Sequence, residues 1–225
     1  MKYIEHDIEM SFFQRMRGRF FLKLYAYNAK IPAGRGIANW YYDFYSIFYD
    51  RFAPLLPKYY EVIDMLVDSH ITEDSRVLDL CCGTGNITVA AAKKAREVIG
   101  LDASEGMLSR ARNKADRKGL INVKFAYGDI TESLEFADSA FNTVTAGFSV
   151  PSNIPLFQDK NKDIMRDVYR VLKKDGELVL FEGLHEITDM YLSKEEYDNL
   201  LCEAGFHDIE MTNINGLYTI VCAKK

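Results

Sequence analysis

The chain has no surplus of positive charge: 28 lysines and arginines are outnumbered by 33 acidic residues, for a net charge of −5 over 225 residues. Phosphate backbones are gripped by clustered excess Lys and Arg, so a nucleic-acid partner is excluded as a first reading. Cysteine is also scarce, with four residues at positions 81, 82, 202 and 222. Cys81 and Cys82 fall at the end of an apolar run that reads as a buried strand, where neighbours point to opposite faces and would not bond each other. The set lacks the spacing of a secreted disulfide framework, and free thiols in a reducing cytoplasm are the expectation. His6, His70, His185 and His207 show no metal-ligand spacing among themselves or with the cysteines, so no metal is expected. No apolar run approaches the roughly 18 residues of a membrane span and no signal-peptide pattern opens the chain, which predicts a soluble protein.

What the chain has instead is a concentration of aromatic residues at its front, with 17 of the 29 Phe, Trp and Tyr within residues 1–60. From about Ser75 the character changes. Runs over 76–82, 97–102, 122–129, 142–150 and 176–184 read as strands, separated by helical patterns such as "NITVAAAKKA", "SEGMLSRARNKADRKG" and "KNKDIMRDVYRVLKKDG". Strand and helix in alternation imply parallel strands joined by right-handed crossovers, with helices on both faces. Near the end, Ser193 and Glu196 form a capping-box pattern ahead of a helix over 193–206. Two further strands, "DIEMTNI" and "LYTIVCAKK", are joined through Asn215-Gly216, a hairpin signal that demands antiparallel pairing. The prediction is an α/β, doubly wound, mostly parallel seven-stranded sheet of Rossmann-like type that finishes with one reversed strand. Residues 1–53 form a separate helical lid or cap, and 54–225 form the main domain.

Ligands of open parallel sheets sit beyond the carboxyl ends of the strands, at the first strand-to-helix turn. "VLDLCCGTGNIT" (77–88) occupies that turn. Gly83 and Gly85 permit torsions and close approach that a side chain would block, and the following helix offers free N–H groups and a positive dipole end. Seventeen residues past Gly85, Asp102 ends its strand where a carboxylate accepts from ribose hydroxyls. Thr88 stands where the dinucleotide fingerprint has its third glycine.

Asp79, Cys81 where a further glycine often stands, Gly83, Gly85, Asp102 and the "YGD" of 127–129 together resemble the class I S-adenosylmethionine-dependent methyltransferases. The resemblance extends from about residue 54 to the C-terminus. "ADSAFNTVTAGFSV" with "MRDVYRVLKKDGELVLFE" is similar to the ubiquinone/menaquinone C-methyltransferase branch and its small-molecule relatives, although Asn142 stands where that branch has Asp. The resemblance implies S-adenosyl-L-methionine as cofactor and a small, lipophilic or quinone-like methyl acceptor. It implies Gly83 and Gly85 for the turn against the methionyl part, Asp102 for ribose, Asp129 with Ile130 for adenine, and Asp79 to orient the loop or meet the ammonium group. The methyl group would lie near Gly147 and Phe148, and Tyr42 and Tyr49 would close over it. Where the acceptor must lose a proton, His185 is the candidate base, with Glu182 beside it on the rim. Two rival readings share the architecture: a nucleotide-dependent oxidoreductase, disfavoured by Thr88, and a non-catalytic cofactor-binding module.

The front segment carries two helical patterns. Over 39–54, Trp40, Phe44, Ile47 and Phe48 recur as an apolar face, with Tyr42 and Tyr49 near another. Over 12–27, Phe13, Met16, Phe20, Leu24 and Tyr27 form one stripe, with Arg15, Arg19 and Lys23 in an i, i+4 row beside it. Such a stripe either packs on its own domain or lies in a membrane interface. Gly34 and Gly36 suggest a hinge or loop between the two helices.

Overall fold

The computed structural model describes residues 1–29, 35–154 and 156–225, the side chains of 35–39 excepted. Gly34 thus lies outside the described residues, while Gly36 falls within the first turn of a helix rather than in a loop. Among the described residues the elements run β1 (Lys2–His6), α1 (Phe12–Ala29), α2 (Arg35–Phe52), α3 (Tyr59–His70), β2 (Arg76–Leu80), α4 (Asn86–Ala92), β3 (Glu97–Asp102) and α5 (Glu105–Arg117). They continue with β4 (Val123–Tyr127), β5 (Phe141–Gly147), α6 (Asn161–Val171), β6 (Leu172–Gly183), α7 (Lys194–Ala204), β7 (His207–Ile214) and β8 (Tyr218–Lys224).

The strands form one sheet in the order β1-β7-β8-β6-β5-β2-β3-β4. Every pairing is parallel except those of β8, which runs antiparallel to both β6 and β7. The reversed strand follows from its turn, where Asn215 (φ 56°) and Gly216 (φ 64°) both adopt the left-handed conformation of a tight hairpin. Strand order reverses between β2 and β5. Right-handed crossovers therefore carry α4 and α5 over one face and α6 over the other, leaving a crevice beyond the carboxyl ends of β2 and β5. No described helix is long and apolar enough to cross a membrane.

The sheet has eight strands where seven were expected. The additional one, β1, pairs in parallel with β7 (Lys2 opposite Glu210, His6 opposite Ile214) at the sheet edge. "KYIEH" has no alternating apolar face and is mostly exposed, so nothing local marks it as a strand. It is held from across the chain: the Asn215 side chain accepts from Ile8 N–H (2.7 Å) and donates to the Ile8 carbonyl (2.6 Å). A second difference concerns Cys81 and Cys82. β2 ends at Leu80, and Cys81 takes a left-handed φ of 48°, which turns the chain out of the strand before either cysteine.

The aromatic stripe of α1 does not pack on the body. Phe13, Met16, Phe20, Leu24 and Tyr27 are all exposed, and the helix docks instead through Gly18, Leu22, Ala26 and Ala29. The close approach explains the choice: a Cβ on Gly18 would meet Leu217 Cδ1 at 2.8 Å and Pro57 Cγ at 3.0 Å, so only the small-residue ridge fits against the core. The apolar face of α2 is likewise turned outward, with Trp40 70%, Phe44 55% and Ile47 48% exposed.

Candidate functional site

A cleft with about 840 Å³ of empty space, open to solvent, lies at the crevice beyond the strand ends. Four strand ends contribute to its wall: Cys81 and Gly83 after β2, Asp102 to Ser104 after β3, Gly128 to Ile130 after β4, and Gly147 to Ser149 after β5. Tyr25 of α1 and Tyr42 and Tyr49 of α2 close the other side.

The first turn is built around backbone that only small residues permit. Gly83 (φ 54°) and Gly85 (φ 78°) are both left-handed. Gly83 has open space around it and lines the cleft, whereas a Cβ on Gly85 would lie 2.9 Å from Ala111 Cβ. Gly83 is thus left bare toward the cleft, and Gly85 lets α4 approach α5. At Gly147 a Cβ would meet Ile87 Cδ1 at 2.7 Å, so the end of β5 also stays free of side-chain bulk.

Asp102 ties the first two strand ends together. Its Oδ2 accepts from Gly83 N–H (2.8 Å) and its Oδ1 from Ser104 N–H (2.9 Å). Burial pushes its carboxyl up from 3.8 to about 6, opposed by these backbone donors and reinforced by Asp43. Each oxygen retains a further lone pair for a ligand hydroxyl. Asp129 Oδ1 accepts from Thr131 N–H (2.8 Å) and Thr131 Oγ1 (2.7 Å), and Ile130 beside it is buried in the wall of the cleft.

Asp79 sits elsewhere. It is 1% exposed, and its two oxygens accept from Thr88 Oγ1 (2.5 Å) and Thr145 Oγ1 (2.8 Å). Its carboxyl is also pushed up by burial to about 6. The arrangement pins α4 and β5 to β2 and so fixes the angle at which the turn leaves the sheet. This gives Thr88 a physical reason: where a dinucleotide turn has a bare glycine, a hydroxyl here anchors the helix to a buried carboxylate. Asp79 does not line the main cleft, but borders a small recess under it with Tyr49, Tyr59 and Asn86.

Several residues that the sequence did not single out hold α2 on this site. Asp43 accepts from Ser104 Oγ (2.5 Å) and Gly106 N–H (2.9 Å). Asp50 accepts from Thr84 Oγ1 (2.6 Å) and from Lys114 Nζ (2.9 Å), which also donates to Asn86 Oδ1 (2.5 Å). On α1, the Tyr25 hydroxyl donates to the Phe148 carbonyl (2.8 Å). The only trace of these contacts in the sequence is that Asp43 and Asp50 interrupt an aromatic helix seven residues apart, on the same side as Tyr42 and Tyr49. Burial raises the Tyr25, Tyr42 and Tyr49 hydroxyls above their usual range, so all three are neutral donors.

A second cleft, more apolar, opens between α1 and α2. It is lined by Phe21, Leu24, Tyr41, Phe44, Tyr45 and Phe52, among others, and shares Tyr25, Tyr49 and Phe148 with the first. Phe148 is the hub between them, within ring-contact distance of Tyr25, Tyr59, Phe181, Tyr191 and Tyr218.

His185 and Glu182 do not join the cleft. His185 is exposed, with Nδ1 2.8 Å from the Tyr191 carbonyl, and lines neither cavity. Glu182, expected on the rim, is 0% exposed inside β6, where Oε1 accepts from Ser149 N–H (3.1 Å) and burial holds the carboxyl well above its usual range. The strand ends within one residue of the expected place, but the chain leaving β5 covers Glu182 and donates Ser149 N–H to it, so its side chain is enclosed instead of standing on the rim.

The tertiary structure also brings together His70, Glu177 and Cys222, the one His/Cys/acid trio of that kind among the described residues. His70 Nδ1 lies 3.0 Å from Glu177 and Nε2 lies 3.4 Å from Cys222 Sγ, while Glu177 also pairs with Lys224 (3.1 Å). Burial pushes the Cys222 thiol far up. Both ring nitrogens and the carboxylate have protein partners, so the trio is a closed hydrogen-bonded network. It lies toward the amino end of β6, away from the cleft, and no sequence spacing links residues so far apart.

Among known protein families, residues 71–214 match the methyltransferase domain. A demethylmenaquinone methyltransferase of Lactiplantibacillus plantarum is 33% identical over 159 residues, which cover 65% of this chain and 65% of that protein. The protein of the same name from Bacillus subtilis is 35% identical over 116 residues, 50% of this chain and 47% of that one. The chain therefore spans between about half and two thirds of the length of the curated relatives it matches. Among solved structures, a SAM-dependent methyltransferase from Aquifex aeolicus superposes with a TM-score of 0.66 at 18% identity, covering 80% of this chain and 97% of that chain. The cyclase SpnF superposes with a TM-score of 0.63 at 21% identity, covering 74% and 80%. At such identities the two structures show the fold alone.

Proposed function

The chain belongs to the class I S-adenosylmethionine-dependent methyltransferase family, and we propose that it moves the sulfonium methyl group of S-adenosylmethionine to a small, lipophilic, quinone-like acceptor. The observation that carries this reading is the cleft in which bare Gly83, the Asp102 carboxylate, and Asp129 with Ile130 line one wall in the order of their strands. A left-handed turn bare of side chains at Gly83, beside a half-buried carboxylate with spare lone pairs, is the cradle that an adenosyl group with two ribose hydroxyls needs. The quinone-like acceptor is supported by the names of the curated relatives and by the apolar second cleft, which meets the first at Tyr25, Tyr49 and Phe148.

In this reading Gly83 and Gly85 shape the turn around the methionyl end, and Asp102 accepts from the ribose hydroxyls. Asp129 and Ile130 bound the adenine, and Asp79, held by Thr88 and Thr145, fixes the turn rather than touching ligand. Gly147 and Phe148 flank the reacting centre. Tyr42 and Tyr49 roof it as neutral hydroxyls, with α1 and α2 acting as a cap on the domain over 54–225. Bound in this cradle, the cofactor supplies an already activated methyl group. The protein's own work is therefore alignment and exclusion of water, which can lower the barrier by about 7–11 kcal/mol when the geometry is tight. His185 lines neither cleft and has no part in this reading: the S–CH3 bond breaks as the new C–C bond forms, and the one proton that the quinol ring releases passes to solvent.

Two measurements test this reading. Titration calorimetry with S-adenosylmethionine should register binding, and methyl-labelled cofactor should label a naphthoquinol bearing a short prenyl tail. No heat and no label transfer would sink the proposal, whereas heat without transfer to any quinol would remove the acceptor assignment alone.

The raised carboxyls of Asp79 and Asp102 give a pH signature. Asp79 and Asp102 have folded values near 6 against 3.8 for the free side chain, so both are bound more tightly as neutral acids in the fold. Their contribution to stability is fully present below about pH 4 and is lost as pH rises through 6. Ribose hydroxyls donate best to the ionised form of Asp102. Cofactor affinity should therefore rise between pH 5 and 7 and then level off, with net proton release on binding near pH 6. Calorimetry in two buffers of different ionisation enthalpy reads that release directly, and a flat profile contradicts the role given to Asp102.

A further inference from the structure

We propose that the outer face of α1 and α2 is a docking surface for an anionic lipid bilayer. The surface is apolar along its middle: Phe12 and Phe13 are 71% and 79% exposed, Phe20 63%, and Trp40 70%. Monomeric proteins rarely leave contiguous apolar patches of this extent uncovered. On α1 the exposed stripe lies opposite the ridge of Gly18, Leu22 and Ala26 that docks on the body, so no internal rearrangement of side chains buries it.

Charge selects the occupant. Residues 12–29 contain Arg15, Arg17, Arg19 and Lys23 and no acidic residue, within a chain whose net charge is −5. At helical spacing, Arg19 and Lys23 flank the apolar stripe on one side and Arg17 on the other. On α2 the two carboxylates are taken up inward, Asp43 by Ser104 and Gly106, and Asp50 by Thr84 and Lys114. An apolar stripe bordered by Arg and Lys is the arrangement of a helix lying in the plane of an anionic interface. A second copy of the chain is the poorer fit, because a two-fold contact would place these basic flanks against one another. The apolar cleft opens on the same face, with Leu24 and Phe44 both exposed and lining it. The docking stands whatever the methyl acceptor is.

The test uses the full chain and phosphatidylcholine vesicles with or without phosphatidylserine. Trp40 is the only tryptophan and lies on the proposed face. Brominated acyl chains should quench its fluorescence in the phosphatidylserine vesicles, and added salt should weaken the binding. Combined Arg19→Glu and Lys23→Glu replacement should lower partition by roughly 30-fold or more, since each basic residue near such a surface adds several-fold to affinity. Phe13→Ser with Phe20→Ser should also abolish quenching. Unchanged calorimetric heat with S-adenosylmethionine verifies that each variant is folded and keeps this test separate from that of cofactor binding. The proposal is overturned if the wild-type chain floats with neither vesicle, or if charge reversal leaves partition unchanged. It is equally overturned if ultracentrifugation shows a dimer that the charge reversal dissolves.

Discussion

Asp102→Ala should cost the protein both its cofactor and a large part of its stability. The carboxylate accepts from Gly83 N–H and Ser104 N–H at 2.8 and 2.9 Å, and it is half-buried in the wall of the cleft. Removing it leaves two part-buried donors without their partner, at up to about 1–3 kcal/mol each. Part of that loss returns because a carboxyl raised to about 6 is itself a burden at neutral pH. The expected net loss is about 2–3 kcal/mol, read as a lower denaturant midpoint at unchanged slope. Affinity for S-adenosylmethionine should fall about 100-fold or more, because hydrogen bonds to a charged acceptor are worth roughly 1.5–3 kcal/mol each and two ribose hydroxyls lose theirs. Asp102→Asn sharpens the result, since the amide fits the space but presents hydrogens toward one of two N–H donors. Retention of full affinity by either variant would remove Asp102 from the ribose site.

The two turn glycines should respond oppositely to replacement. Both are left-handed, so any side chain costs about 1–2 kcal/mol. At Gly85 the added Cβ also lies 2.9 Å from Ala111 Cβ, at the contact between α4 and α5. Gly85→Ala should therefore destabilise by about 2–5 kcal/mol, the overpacking adding to the torsional strain. At Gly83 nothing lies closer than 4.0 Å. Gly83→Val should cost only the torsional strain in stability, yet fill the cleft and abolish detectable cofactor heat. Thermal unfolding and calorimetry on the two variants separate the effects: a folded Gly83→Val protein that still binds would show that the turn is not the cradle.

These contrasts indicate how far the residues could be read in order along the chain. The turn from 77 to 88 was legible because glycine torsion and helix starts are local properties, and the same holds for the Asn215-Gly216 hairpin and the Ser193/Glu196 cap, whose reciprocal bonds are both formed. Glu182 and His185 stand away from the cleft because remote segments place their side chains: the chain after β5 encloses Glu182 through Ser149 N–H, and His185 Nδ1 lies against the Tyr191 carbonyl. Asp43, Asp50 and Tyr25 were missed because each bonds to a partner more than 30 residues away.

Taken alone, the sequence determined the parallel α/β architecture, the crevice where strand order reverses, and the carboxylates at successive strand ends. All three follow from periodicity and turn chemistry, which act over a few residues. The tertiary structure decided which side of α1 meets the core, since only the Gly18 ridge allows backbone that close. It also decided that KYIEH is a strand, through partners more than 200 residues downstream. And it decided that Thr88 and Thr145 share the Asp79 carboxylate. Such contacts depend on which surfaces the assembled sheet presents to one another, a property that no short window of sequence contains.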